Sequence, residues 1–171
     1  MHLEKWFERK FPYTPPTNVF PALIERLRGG PVRVEESVGG YSASLWTRRD
    51  GDDWSIQEHV GHLGDLEELW FARLRDFEAG VEVLTAADLQ NRRTHGAGHN
   101  DTSMEGLLGR FRRARGEMVA VLESMSNEES GKTALHPRLR QPMRIIDQCF
   151  FVAEHDDHHL AIMNSLGQKL G

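Results

Sequence analysis

The sequence predicts an all-α fold, a four-helix bundle. Three observations predict it. Four segments carry apolar residues at helical spacing, strand-type alternation is nearly absent, and helix ends are marked by capping residues and glycines. At 171 residues the chain is read as one domain spanning 1–171, large enough to bury a proper core.

Residues 1–17 read as an extended arm, because Pro12, Pro15 and Pro16 disfavour helix there. Trp6, Phe7, Phe11 and Tyr13 give this arm apolar anchors, either for its own bundle or for a second copy. Helix one is expected from Asn18 to Arg28, with Phe20, Leu23, Ile24 and Leu27 turned inward. Gly29-Gly30-Pro31 breaks it, and a further turn or two continues to Val38. Helix two is expected from Ser55 to Ala79, stopped by Gly80. Ser55 with Glu58 forms a capping-box pattern at its start. Helix three runs from Ser103 to Met125, with Thr102 and Glu105 as a second capping-box pattern. Helix four runs from Gln141 to Leu166 and is expected to stop at Gly167.

The connection between helices two and three is about 20 residues, too long for a turn between antiparallel neighbours. Helix two is roughly 38 Å long, and such a connection can reach up to about 65 Å. It can therefore cross back, so that helix three starts at the same end as helix two. Helix four would then return antiparallel to both. A plain up-down-up-down order would undo this arrangement.

Charge and cysteine content bound the function. There are 26 acidic and 21 basic residues and a net charge of −5, which gives no support for nucleic-acid binding. Arg110, Arg112, Arg113 and Arg115 read as a solvated helix face, with an anion clamp near a site as the alternative. Cys149 is the single cysteine and sits on an apolar stripe, so it is expected to be a buried structural thiol. A chain without disulfides, signal peptide or membrane-spanning segment is expected in the cytoplasm.

The chemistry concentrates in His155-Asp156-Asp157-His158-His159. His155 and His159 are one helical turn apart and continue the inward stripe of Ile145, Cys149, Val152 and Ile162. His62 lies seven residues into helix two, roughly 10 Å from its start. If helices two and four are antiparallel neighbours, the three rings fall at one level. Three neutral imidazoles then suit one divalent metal with an open position for water or substrate. The plain alternative is three core histidines satisfied by hydrogen bonds.

Other residues carry two readings each. Glu58 is one turn before His62 and is either a capping carboxylate or a candidate base beside the metal. Asp156 either orients His155 or is solvated, and His59 and His158 are expected to face solvent or a neighbouring helix. His95, His99 and Asn100 are candidates for a lid over the pocket.

The segments Trp54-Ser55-Ile56-Gln57-Glu58-His59-Val60-Gly61-His62-Leu63 and Phe151-Val152-Ala153-Glu154-His155-Asp156-Asp157-His158-His159 resemble the DinB/YfiT-like superfamily. The resemblance covers nearly the whole chain. It implies an up-down-down-up bundle and a metal on His62, His155 and His159: zinc or nickel first, iron or manganese otherwise. Family members include metal-dependent hydrolases and transferases that use a low-molecular-weight thiol such as bacillithiol or mycothiol. A homodimer is also implied. The expected function is a metal-dependent hydrolase or thiol transferase acting on a small electrophile. The alternative is a non-enzymatic, metal-stabilised bundle in stress response or protein interaction.

Overall fold

The computed structural model describes residues 3–13 and 15–171. Positions 1, 2 and 14 of the expected arm lie outside the described residues.

The first bundle helix comes in two pieces, α1 (Phe20–Arg28) and α2 (Gly30–Gly39). A short α3 (Ala43–Trp46) leads to α4 (Ile56–Ala79). The crossover contains a short α5 (Arg92–Gly96), and α6 (Met104–Glu123) and α7 (Ile145–Leu170) complete the bundle. A small antiparallel hairpin, β1 (Thr133–Leu135) with β2 (Pro142–Arg144), sits between α6 and α7 and pairs Ala134 with Met143.

Side-chain contacts fix the order. Arg110 on α6 reaches Gly61 and Asp65 on α4, and Arg115 reaches Glu67, so contacts advance together and α4 and α6 are parallel. On α7, Gln148 donates to the Trp70 carbonyl while His159 meets His59, so α7 runs antiparallel to α4. Arg26 pairs with Glu154, and Ser37 with Asn164, so α1 and α2 run parallel to α7. The order is up-down-down-up, with the long crossover between α4 and α6.

The helix ends follow the sequence closely, with local exceptions. Ser55 and Glu58 form the capping box of α4, and Gly80 ends that helix in a left-handed conformation. Ser103, rather than Thr102, caps α6 by accepting from the Gly106 N–H. Helix α7 begins at Ile145 instead of Gln141, because residues 142–144 are taken by β2. It also continues through Gly167, which was expected to stop it. Gly167 serves close approach: a Cβ there would lie 2.3 Å from the Tyr41 ring.

Two apolar clusters fill the bundle. Trp70, Leu74, Phe77, Met118, Leu122 and Phe151 belong to the one at the hairpin end. Ile56, Val60, Leu63, Leu107, Phe111 and Met163 belong to the other. The arm packs on its own bundle: Phe11 is buried, and its ring lies 4.8 Å from that of Phe151.

Arg115 corrects the reading of the arginine cluster as a solvated face. Its side chain is 1% exposed and lies between Glu67 on α4 and Asp156 on α7. Its Nη1 also donates to the Leu27 carbonyl at 3.2 Å. That carbonyl would ordinarily accept from residue 31, but Pro31 has no N–H. Arg115 falls on the core stripe of α6, between Phe111 and Met118, which is why it is buried. Burial alone would push its pKa down, yet Asp156 and Glu67 hold it above the ordinary arginine value. Burial pushes the Glu67 carboxyl up, partly opposed by Arg115.

Two predictions follow from packing. Gly167→Val should destabilise by roughly 1–3 kcal/mol through overpacking against Tyr41. Gly116→Ala, where an added Cβ meets nothing within 4 Å, should stabilise by about 0.5–1 kcal/mol. Urea denaturation measures both, and equal effects would contradict the packing. Separately, Arg115→Met should cost about 3–5 kcal/mol by stranding two buried carboxylates. Replacing Glu67, Arg115 and Asp156 together by apolar residues of similar volume should recover most of that loss in the same assay.

Candidate metal centre

The antiparallel α4–α7 pair brings His62, His155 and His159 together, all buried, with one potential ligand atom from each within 4.8 Å of the others. His155 Nε2 and His159 Nε2 are 3.1 Å apart. Two nitrogens on one tetrahedral ion at 2.0–2.1 Å would lie roughly 3.3 Å apart, so the spacing fits a shared metal.

The outer hydrogen bonds aim these rings. His62 Nδ1 is 3.0 Å from Thr94 Oγ1, whose hydroxyl donates to Asp65 Oδ2 at 3.1 Å. The hydroxyl hydrogen is thus committed to Asp65. His62 Nδ1–H therefore donates to Thr94, leaving its Nε2 with a free lone pair. His159 Nδ1 lies 2.8 Å from His59 Nδ1. His155 is held by packing, its ring 4.9 Å from Trp6 and 5.9 Å from Trp70. Its Nδ1 is buried without a hydrogen-bond partner among the described residues.

Burial keeps the rings uncharged. It pushes His62 down to about 3 and His59 down to about 4, with neighbouring histidines adding to both shifts. Burial also holds His155 and His159 well below the usual imidazole range. Neutral imidazole is the form that donates to a metal.

The crossover wraps the first turns of α4, so that stretch is buried on every side. Gln57 Nε2 donates to the carbonyls of His99 and Thr102, both at 2.7 Å. His99 Nε2 donates to Asp65 at 2.8 Å, and the Ser55 hydroxyl donates to Asn100 Oδ1 at 2.7 Å. Gly61 admits this loop: a Cβ there would lie 2.3 Å from the His99 ring. His99 and Asn100 thus clamp the crossover to α4. His95 is exposed and meets the edge of Trp54 at 5.5 Å between ring centres. None of the three lines the pocket beside the histidines; the crossover contributes Asp88, Leu89 and Asn91 instead. Glu58 takes its capping role. Its oxygens accept from Arg49 and the Ser55 N–H. Burial raises its pKa, but these bonds outweigh it and leave the carboxyl below its usual value. It is therefore not free to serve as a base.

His59 and His158 are both buried, and neither faces solvent. His59 bonds His159, and His158 lines the pocket beside Trp6. His59 thus takes the neighbouring-helix placement rather than the solvent one, its ring meeting α7 through His159. Asp156 binds Arg115 and does not orient His155. Thr94 and Asp65, the pair that holds His62, were missed because they meet across the crossover.

A cavity of about 320 Å³ reaches His62, His155 and His159. Trp6, Trp54, Trp70, Leu66 and Phe151 make much of its wall. Phe7 and Leu89, each more than half exposed, mark its mouth.

The fold and site together define a four-helix bundle with a buried three-histidine cluster at the end of an apolar pocket. The chain belongs to the DinB superfamily, whose sequence profile matches residues 26–163. Its structure is similar to that of YfiT from Bacillus subtilis, described as a probable metal-dependent hydrolase with an unusual four-helix bundle topology. The two share 18% identity and a TM-score of 0.82, over 96% of this chain and 94% of that one. No curated protein matches the sequence significantly. Among the described residues, no helix is long and apolar enough to cross a membrane.

The pKa shifts set a pH dependence for the metal-free protein. Folded-state values near 4 for His59 and 3 for His62 lie below the ordinary 6.5. His136 is likewise pushed down to about 3, by burial first and then by Arg73 and Arg138. Below about pH 6.5 the unfolded chain binds more protons than the folded one, so acid favours unfolding. Stability should be full above that pH and fall progressively towards pH 4. Thermal melts of chelator-treated protein check this; a flat Tm across the interval would contradict it.

Proposed function

We propose that the chain is a metal-dependent enzyme acting on a small electrophile, with His62, His155 and His159 holding one divalent ion. The observation that carries this reading is a cavity of about 320 Å³ ending on three converging imidazoles. A purely structural metal site is closed by its ligands, whereas this one adjoins a space of small-molecule size. The pocket favours an enzyme over a non-enzymatic, metal-stabilised bundle. The all-nitrogen donor set suits zinc or nickel ahead of harder ions.

A bound ion would supply Lewis acidity, making a nucleophile available near neutral pH and polarising the electrophile. The chain's own residues prepare the site. Thr94 and Asp65 fix the His62 tautomer, and His59 accepts from His159 Nδ1–H when His159 donates through Nε2. Trp6, Trp54 and Trp70 exclude water and present flat apolar surface to a ligand. Hydrolysis is the leading reaction, in keeping with the description of YfiT. Transfer of a low-molecular-weight thiol is the second. Any such thiol must come from outside, because Cys149 is buried and its thiol is pushed up to about 12, chiefly by burial.

Elemental analysis of the purified protein should find about one divalent ion per chain. His62→Ala, His155→Ala and His159→Ala should each lose most of it, while His158→Ala should keep it. Thr94→Val should weaken metal affinity by about 10–100-fold, measured by competition with a chromophoric chelator. Loss of metal in His158→Ala with retention in His159→Ala would show a different ligand set.

A further inference from the structure

The pocket has a second polar end, formed where the β1–β2 hairpin meets α4. Arg73 is 1% exposed, and its pKa is pushed down to about 10, first by burial. Its Nε donates to the Thr85 carbonyl at 2.9 Å. Its Nη1 points at His136 Nε2, 3.2 Å away. That contact is no ordinary hydrogen bond. His136 Nδ1 accepts from the Leu139 N–H at 3.1 Å, so the proton of the neutral ring sits on Nε2. Two donors therefore face each other with no acceptor between them.

Arg138, on the same hairpin turn, adds a third donor. Its Nη2 is buried and has no partner, while its guanidinium lies 5.3 Å from the Phe7 ring centre. Among the described residues, neither Arg73 nor Arg138 forms an ion pair. The nearby carboxylates bond elsewhere: Asp76, whose charge favours the Arg73 cation, accepts from the Thr85 N–H at 2.6 Å, and Asp88, on the pocket wall, accepts from the Gln90 and Arg92 N–H groups. The Tyr13 hydroxyl, which feels both guanidinium charges, is buried beside the Gln141 amide. Arg73 is fully buried and Arg138 half-buried with its Nη2 inside, and cations so placed without a bonded carboxylate cost stability unless an anion joins them.

We propose that Arg73, Arg138 and His136 form an oxyanion-binding subsite of this pocket. Its ligand is a small molecule with an apolar or aromatic body and a carboxylate, sulfonate or phosphate head. The same cavity joins this subsite to the three-histidine cluster. The His136 ring lies 5.4 Å from that of Phe151, and His155 and His159 follow one and two turns along α7. The oxyanion therefore sits roughly 10 Å from the metal position. Trp70, Phe151 and Leu66 line the span between. That such a ligand is also the substrate rests on the metal-enzyme reading above; the anion binding does not.

The test is calorimetric titration of the full-length, zinc-loaded protein with three probes: 4-phenylbutyrate, 4-phenylbutan-1-ol and inorganic phosphate. The acid should bind at least about tenfold tighter than the alcohol, the scale of a charge-assisted hydrogen bond. It should also bind more tightly than phosphate. The preference for the acid should persist in metal-depleted His159→Ala, disappear in Arg138→Gln, and survive in Arg138→Lys. Binding of the alcohol reports on the folded pocket, so a misfolded variant loses both organic probes. An acid that binds no better than the alcohol overturns the subsite. So does a preference that vanishes in His159→Ala yet survives in Arg138→Gln; the carboxylate would then be on the metal, and the metal reading would stand. Phosphate binding as tightly as the acid overturns the apolar-body part of the proposal.

Discussion

Arg115 touches every helix of the bundle, and the position of the histidines depends on it. Its guanidinium binds Glu67 on α4, Asp156 on α7 and the Leu27 carbonyl at the end of α1. A charged group at 1% exposure must be met on every side, so few relative placements of the helices satisfy it. Fixing Glu67 against Asp156 also fixes His62 against His155 and His159, because each pair lies on the same two helices. One hydrogen-bonded triad thereby sets the level at which three imidazoles meet. Such buried ion groups add specificity of register more readily than net stability.

The parallel pairing of α4 with α6 has a functional consequence. It obliges the chain to return along the outside of α4, and the crossover supplies what a short turn would not. Thr94 reaches His62, His99 and Thr94 both bind Asp65, and Leu89 forms part of the pocket mouth. The arm closes the opposite side, with Trp6 against His155 and Phe151. The site is thus assembled from the arm, two bundle helices, the crossover and the hairpin. Rigid helices carry the candidate ligands, and the connecting segments shape access.

Much of the frame was legible in the sequence because it is local. The capping box at Ser55, the stop at Gly80 and the apolar stripes of α4, α6 and α7 all depend on residues a few positions apart. The His155–His159 pair was legible for the same reason, and His62 joined it through the antiparallel α4–α7 pairing inferred from loop length. What escaped depends on partners distant in sequence. Arg115 looked like one of four surface arginines, although Phe111, Arg115, Met118 and Leu122 lie on one face. Gly167 looked like a terminator because nothing local announces Tyr41 above it. His59 was open to solvent or to a neighbouring helix, and helical spacing alone could not tell that α7, through His159, would cover it. The hairpin was missed because its strands are three residues each, too short for alternation to register.

The central claim is that His62, His155 and His159 share one metal ion. Anomalous diffraction from crystals of the metal-loaded protein tests it most directly, since it places the ion without assuming its ligands. The account predicts a single strong peak about 2.0–2.1 Å from one ring nitrogen of each of the three histidines, with a coordination position facing the pocket. A peak bound by any other set of side chains, or a fully loaded protein with no peak among these three rings, would contradict it.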